Sequence, residues 1–360
     1  MTTSPIKRAH EQTLLSPRTE TNLLYNEFGD DAPDVDLFYR VLNHYRITCN
    51  LFDQGKPGTL DQDEYVYKNC RSLFDSLDRF FFKCDRYVEQ NSVQRSVFLE
   101  RIFHSFNSFF SPIREFVLSL PHIDDFRISN FFYQNADPPG STFNRLINRY
   151  LMESRLARSV RCRRTYFRDQ LVALTADKSL DRFTISSLGC GSALELCEFI
   201  SGNQNSQKCI FHCIDASKEA LFFLNRTIAR MQEQRPITLF DYPLDIFNLD
   251  PSMNETIMFR RSKFIYCSGL VENLDITQML ALIRFGYDHL DVGGQFVIAA
   301  TADIGIYKTL LSIIGIPSFK CWSPSELVQM AQHTVPEADI RLETELEQTN
   351  HYLWITKYAI

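Results

Sequence analysis

The 360-residue chain is poor in glycine, with 13, and in tryptophan, with 2. So few glycines leave little material for the many tight turns of a repeat-rich all-β protein. A net positive charge is also missing. The balance of 38 Lys and Arg against 44 Asp and Glu gives −6, which argues against a partner in DNA or RNA held by the overall field. No run of about 18 uncharged apolar residues occurs, so no membrane span is expected. The longest apolar runs, Phe80–Phe82 and Phe296–Ala300, have the length of core elements. Met1–Ser16 is polar, carries Lys7, Arg8 and Glu11, and holds no apolar stretch of signal-peptide length. The cysteines lack regular spacing and several fall in apolar runs. That is the pattern of reduced, buried thiols in a cytoplasmic protein. No phosphate-cradling lysine motif is present, which argues against an ATPase or GTPase.

The chain does have an ordinary globular composition, 44% hydrophobic and 23% charged, so disorder throughout is excluded. Its length suits two domains. Residues 1–33, rich in Ser, Thr, Pro and acidic side chains, read as a flexible tail, mobile or loosely docked. Residues 34–140 read as a helical domain on the substrate or partner side. Leu37, Phe38, Val41, Leu42 and Tyr45 recur at spacings of three and four, as do Leu73, Phe74, Leu77, Phe80 and Phe81, then Val97, Phe98, Ile102, Phe103 and Phe106. Gly55-Lys56-Pro57-Gly58 breaks the pattern as a loop. The many Phe either pack an all-helical layer, the simpler reading, or line a pocket for an acyl chain.

Asp137-Pro138-Pro139-Gly140-Ser141 is the strongest internal break, and Ser141 or Thr142 is placed to cap the next helix. The pattern then predicts one long helix over 143–174. It carries Arg145, Arg149, Arg155, Arg158, Arg161, Arg163, Arg164 and Arg168 beside Glu153. This basic run is either a solvated face paired to the acidic body or a site for an anionic ligand, which Arg forks bind well.

From Phe183 onward strands alternate with helices and the chain closes on two strands a hairpin apart. Such alternation means a parallel, doubly wound sheet ending in an antiparallel strand. Lys208–Ile214 is one of its strands. There Cys209 and Cys213 share a face and His212 points away, so Cys209-x-x-His212-Cys213 reads as core and no metal site is expected.

The first strand runs into Gly189-Cys190-Gly191-Ser192-Ala193-Leu194-Glu195. Two glycines one apart, between strand and helix, allow a tight turn and close approach to a ligand. The second strand ends at Asp215-Ala216-Ser217. A carboxylate there can accept both hydroxyls of a ribose, or else cap the following helix. Asp245-Ile246-Phe247 follows the third strand, where an acid could take an adenine amino group and an aromatic could stack on the ring. The fourth strand ends at Tyr266-Cys267-Ser268-Gly269-Leu270-Val271-Glu272, at the reversal of strand order, and Asp291-Val292-Gly293-Gly294 turns into the fifth.

Taken together, these parts resemble the class I S-adenosylmethionine-dependent methyltransferases. The resemblance implies an α/β fold: a Rossmann-like seven-stranded class I methyltransferase sheet over residues 141–360, with an N-terminal helical domain. It also implies S-adenosyl-L-methionine as cofactor. Gly189, Cys190, Gly191 and Glu195 would lie by its methionine part, and Asp215, Ala216 and Ser217 by the ribose. Asp245, Ile246 and Phe247 would lie by the adenine, with Ser268 and Gly269 facing the cofactor. The third glycine of the family pattern is Ala193 here.

Asn148-Arg149-Tyr150, Ala157–Arg164 and Phe264–Leu274 narrow the likeness. They are similar to bacterial methyltransferases proposed to make 3-hydroxypalmitic acid methyl ester, an extracellular signalling factor. This implies a small-molecule or acyl substrate, methylated on oxygen. A carboxylate acceptor is already ionised at neutral pH, so orientation matters more than a general base. Arg164 is the first candidate to hold the acceptor or the cofactor carboxylate, and Tyr266 and Glu272 are candidates for the acceptor side. A methyltransferase acting on a protein, a non-catalytic cofactor-binding module and a homodimer all remain open at this point.

Overall fold

The computed structural model describes residues 33–54, 62–91, 93–122, 125–134, 140–176, 182–232, 236–248, 261–303 and 305–358. The tail through residue 32, the loop Gly55–Gly58 and Asp137–Pro139 lie outside them. The helical region comprises α1 (Val35–Gln54), α2 (Gln62–Gln90), α3 (Arg95–Phe106), α4 (Ser111–Leu118), α5 (Phe126–Gln134), α6 (Thr142–Glu153) and α7 (Arg155–Thr175). There follow β1 (Phe183–Leu188), α8 (Leu194–Gly202), β2 (Cys209–Asp215), α9 (Lys218–Gln232), β3 (Thr238–Pro243) and β4 (Ser262–Cys267). The chain ends with α10 (Ile276–Asp288), β5 (Leu290–Thr301), α11 (Lys308–Ile314), α12 (Pro324–Thr334), β6 (Asp339–Thr344) and β7 (Asn350–Thr356).

The chain forms two compact units that interleave along the sequence. One takes the residues through Leu120, Ala136–Glu153 and Tyr307–Pro317; the other takes Pro121–Asn135, Ser154–Ile306 and Ser318–Ile360. A single cut near residue 140 therefore does not separate them. Helix α5 sits with the sheet, whereas α6 and α11 sit with the N-terminal helices.

In the helical unit the periodic phenylalanines meet one another. Phe38 stacks on Phe80 with ring centroids 4.0 Å apart, Phe106 lies against both, and Phe81 meets Phe110 edge-on. All five are fully buried, so these rings pack helix on helix. Burial of each contributes about 1.5–3 kcal/mol. Polar contacts join distant segments of the same unit. Asp53 accepts the N–H and hydroxyl of Thr142 at 3.0 and 2.5 Å. Asp85 accepts the N–H groups of Lys308 and Thr309 at 2.7 and 2.8 Å, capping α11 from outside its own chain segment.

The single helix expected over 143–174 is two helices. Ser154 is extended (φ −61°, ψ 156°) and its Oγ accepts the Ala157 N–H at 3.3 Å. Serine competes with the helix ladder through its own side chain and serves better as a cap than as an interior residue. Ser141 caps α6 as expected, its Oγ accepting the Asn144 N–H at 3.2 Å.

The other unit is built on a seven-stranded sheet of order β3-β2-β1-β4-β5-β7-β6. β1 to β5 run parallel and β7 inserts antiparallel between β5 and β6. This is the Rossmann-like class I methyltransferase sheet. Its central strands are apolar on both faces because both are covered. Phe264 and Tyr266 of β4 face one core with Phe167 of α7, Leu196 of α8 and Leu221 of α9. Ile265 and Cys267 face the other, with Leu282 of α10 and Leu327 of α12. Cys209 and Cys213 of β2 pack in the first core, while His212 contacts the rings of Phe240 and Tyr242. Among the described residues no cluster of metal-ligating side chains occurs, and no helix is long and apolar enough to cross a membrane.

Candidate active site

Strand order reverses between β1 and β4, where the connections from β1 and β4 leave in opposite directions and open a crevice at the strand ends. The glycine loop fills this point. Gly189 and Gly191 have φ +60° and +53°, the left-handed region that glycine enters without penalty. A Cβ on Gly189 would also lie 3.1 Å from the Leu270 side chain. Ala193 adopts φ +44° before α8 begins, a conformation that costs an alanine about 1–2 kcal/mol.

Asp215 at the tip of β2 holds this loop. Its Oδ2 accepts the Gly191 N–H at 2.7 Å and its Oδ1 the Ser217 N–H at 2.8 Å. The cap of α9 is Ser217, whose Oγ accepts the Ala220 N–H at 3.2 Å. Asp215 is thus a loop-fixing carboxylate rather than the helix cap. After β3, Asp245 accepts the Phe247 N–H at 3.0 Å and the Asn248 side-chain amide at 2.6 Å, which fixes the turn that presents Ile246 and Phe247.

These parts converge on one cavity of about 580 Å³, within the usual size of a small-molecule site. Gly189, Cys190, Gly191 and Glu195 line it, as do Asp215, Ala216, Ser217, Asp245, Ile246, Phe247, Ser268 and Gly269. The structure therefore brings together every residue that the sequence assigned to a cofactor.

One wall was not foreseen. Phe126, Ser129 and Tyr133 of α5 line the same cavity. Helix α5 is fastened to the glycine loop by Ser192, whose hydroxyl donates to the buried Asn130 side chain at 2.6 Å. A Cβ on Gly191 would come within 3.3 Å of Phe126. Arg161 donates to the Phe132 carbonyl at 3.3 Å. No periodicity in residues 126–134 announces a site; only their aromatic content hints at one.

The three side chains expected to act on the acceptor lie one layer behind this wall. Tyr266 is fully buried and donates to Glu195 Oε1 at 3.0 Å. Glu272 is 2% exposed and accepts Arg163 Nη1 at 2.5 Å, the Thr301 N–H at 3.1 Å and the Thr301 hydroxyl at 2.6 Å, all on Oε1. Arg164 pairs with Glu198 and lies over the Tyr133 ring, 5.1 Å from its centroid. None of the three is among the lining residues, whereas their partners Glu195, Arg163 and Tyr133 are. Burial raises the Glu195 carboxyl above its ordinary value, opposed by the Tyr266 hydroxyl and the Arg164 charge. The rest of the basic run is largely matched within the fold: Arg149 pairs with Glu153 and Arg168 with Asp169.

The sequence matches no family model and no curated protein. Its fold is shared. A "possible exported protein" from Bordetella parapertussis superposes with a TM-score of 0.50 at 16% identity, over 65% of this chain and 80% of that one. Magnesium protoporphyrin IX methyltransferase from Synechocystis, with bound S-adenosylmethionine, is similar at a TM-score of 0.40 and 10% identity, over 56% and 83% of the two chains. An S-adenosylmethionine-dependent methyltransferase from Clostridium acetobutylicum is similar at 0.38 and 15%, over 53% and 91%.

Proposed function

We propose that this chain is an S-adenosylmethionine-dependent methyltransferase whose acceptor is a small acid of the hydroxy fatty acid class. The observation that carries the first half is the Asp215 carboxylate bound to the glycine loop across the β1–β2 tips, at the rim of the strand-end cavity. An acidic group there suits the two hydroxyls of a ribose. Asp245 suits the adenine amino group, with Ile246 and Phe247 as apolar neighbours for the ring. Gly189 and Gly191 let the backbone come close to the methionine end. The resemblance of Ala157–Arg164 and Phe264–Leu274 to the 3-hydroxypalmitic acid methyl ester enzymes supports the second half.

When bound, S-adenosylmethionine supplies a sulfonium methyl group. Its transfer to an acceptor carboxylate oxygen would form one O–C bond as the S–C bond broke, with that bond's electron pair left on sulfur. This chain then needs no general base, because the acceptor is already ionised at neutral pH. Its task is to orient donor and acceptor in the cavity. Helix α5 and the Ser268–Gly269 turn both line that cavity and serve this end.

The test has two steps. S-adenosylhomocysteine should raise the thermal midpoint of the parent protein by mass action, and Asp215→Ala should abolish the rise. Labelled methyl from S-adenosylmethionine should then appear in the ester of 3-hydroxypalmitate. Absence of the first effect defeats the methyltransferase reading; absence of the second alone defeats the acceptor.

A further inference from the structure

We infer that Arg163 binds a ligand carboxylate inside the cavity, with Glu272 as the residue that positions it. The inference rests on the methyltransferase reading for what carries the carboxylate.

Among the described residues, three basic side chains line the cavity: His122, Lys218 and Arg163. The first two are exposed, and Arg163 is 4% exposed. It is the buried cation of an otherwise acidic site, where Glu195, Asp215 and Asp245 also line the wall. Its neighbours in the basic run are directed elsewhere: Arg161 to the Phe132 carbonyl, Arg164 to Glu198 and the Tyr133 ring.

Burying an Arg–Glu pair is costly, and a hydrophobic pair of equal volume is often as stable or more so. A purely structural role therefore explains the pair poorly. The geometry suits binding better. Glu272 takes Arg163 by one nitrogen, Nη1, on an oxygen that already receives both donors of Thr301. A guanidinium has five N–H donors in a rigid fork, and one end-on contact fixes its orientation without using the fork. Tyr133, from the α5 wall, lines the same cavity as Arg163 and Glu195.

That carboxylate belongs either to the methionine end of the methyl donor or to the acceptor acid, and affinity measurements separate the two. Titrations would compare the parent, Arg163→Lys and Arg163→Met, the last also with Glu272→Gln so that no buried charge is left unpaired. The probes are S-adenosylhomocysteine, its decarboxylated analogue, and 3-hydroxypalmitate. If the donor's carboxylate is bound, the Met variants lose about tenfold to a hundredfold in affinity for S-adenosylhomocysteine. Their affinity for the decarboxylated analogue is unchanged, and Lys is intermediate. If the acceptor's carboxylate is bound, the loss falls on 3-hydroxypalmitate alone. The inference is overturned if the folded double variant binds S-adenosylhomocysteine as the parent does, and 3-hydroxypalmitate is bound equally or by neither. A parent that binds no S-adenosylhomocysteine at all refutes instead the reading on which the inference rests.

Discussion

Asp215 ties the tip of β2 to the loop that follows β1, holding the Gly191 N–H at 2.7 Å and the Ser217 N–H at 2.8 Å on its two oxygens. Both donors lose a charged acceptor in Asp215→Ala. Each such bond is worth about 1.5–3 kcal/mol in burial and less where water can replace it, so about 2 kcal/mol in all is expected for this half-buried group. Asp215→Asn, which keeps one acceptor oxygen, should lose less. Urea unfolding of the three proteins gives the order; equal midpoints would show that the loop does not depend on this contact.

Asn130 should control how firmly α5 stays on the glycine loop. Asn130→Ala leaves the Ser192 hydroxyl without its acceptor in a buried place, at a cost of about 1–3 kcal/mol. Amide exchange should quicken over residues 126–134 and 189–193 and not in β5. Unchanged exchange would mean that the aromatic contacts of α5 suffice.

Glu195 should weaken the fold at neutral pH. Burial raises its folded value above the ordinary 4.5, so folding favours the protonated form. Its contribution is fully present below the unfolded value and is lost as pH rises through the folded one. Glu195→Gln keeps an acceptor for Tyr266 and removes the titration. The variant should match the parent at pH 4 and exceed it in stability at pH 8. A parent equally favoured over Gln at both pH values would contradict this.

Gly189→Ala combines two penalties that can be separated. Positive φ costs an alanine about 1–2 kcal/mol, and its Cβ meets Leu270 at 3.1 Å. Adding Leu270→Ala removes the contact with Cδ2 but keeps the Leu270 Cβ at 3.2 Å, so it should relieve part of the second penalty and leave the first. If the double change restores nothing beyond the loss of Leu270 itself, the end of the Leu270 side chain contributes no strain, and the penalty lies in the backbone and the Leu270 Cβ contact.

Much of this site was legible in sequence because it is local. The glycine loop, the acid at the tip of β2 and the turn after β3 each come after a strand whose apolar run marks its end, so their chemistry comes with their position. Three features were not legible, each for a physical reason. Ser154 breaks a helix through a single side-chain bond, which leaves the apolar rhythm on either side intact. Helix α5 lies some 60 residues before the loop it touches, and periodicity carries no information about such a meeting. Arg163 and Arg164 are adjacent in a charge run, yet one residue turns a helix by about 100°. That rotation puts Arg163 at the cavity and Arg164 behind it.

The covalent path passes from one unit to the other after Leu120, Asn135, Glu153, Ile306 and Pro317. No single cut therefore yields either unit whole. A fragment beginning at Ser141 would lack α5, one wall of the cavity, and would carry α6 and α11 with their buried residues Leu146, Leu151, Leu310 and Ile314 stripped of partners. Exchange of the helical unit by recombination would need matched junctions at all five places. Its sequence is thus threaded through that of the sheet: a transfer cut near residue 140 would keep both buried clusters of the sheet unit, which lie between Phe167 and Ile355, and would divide the helical unit.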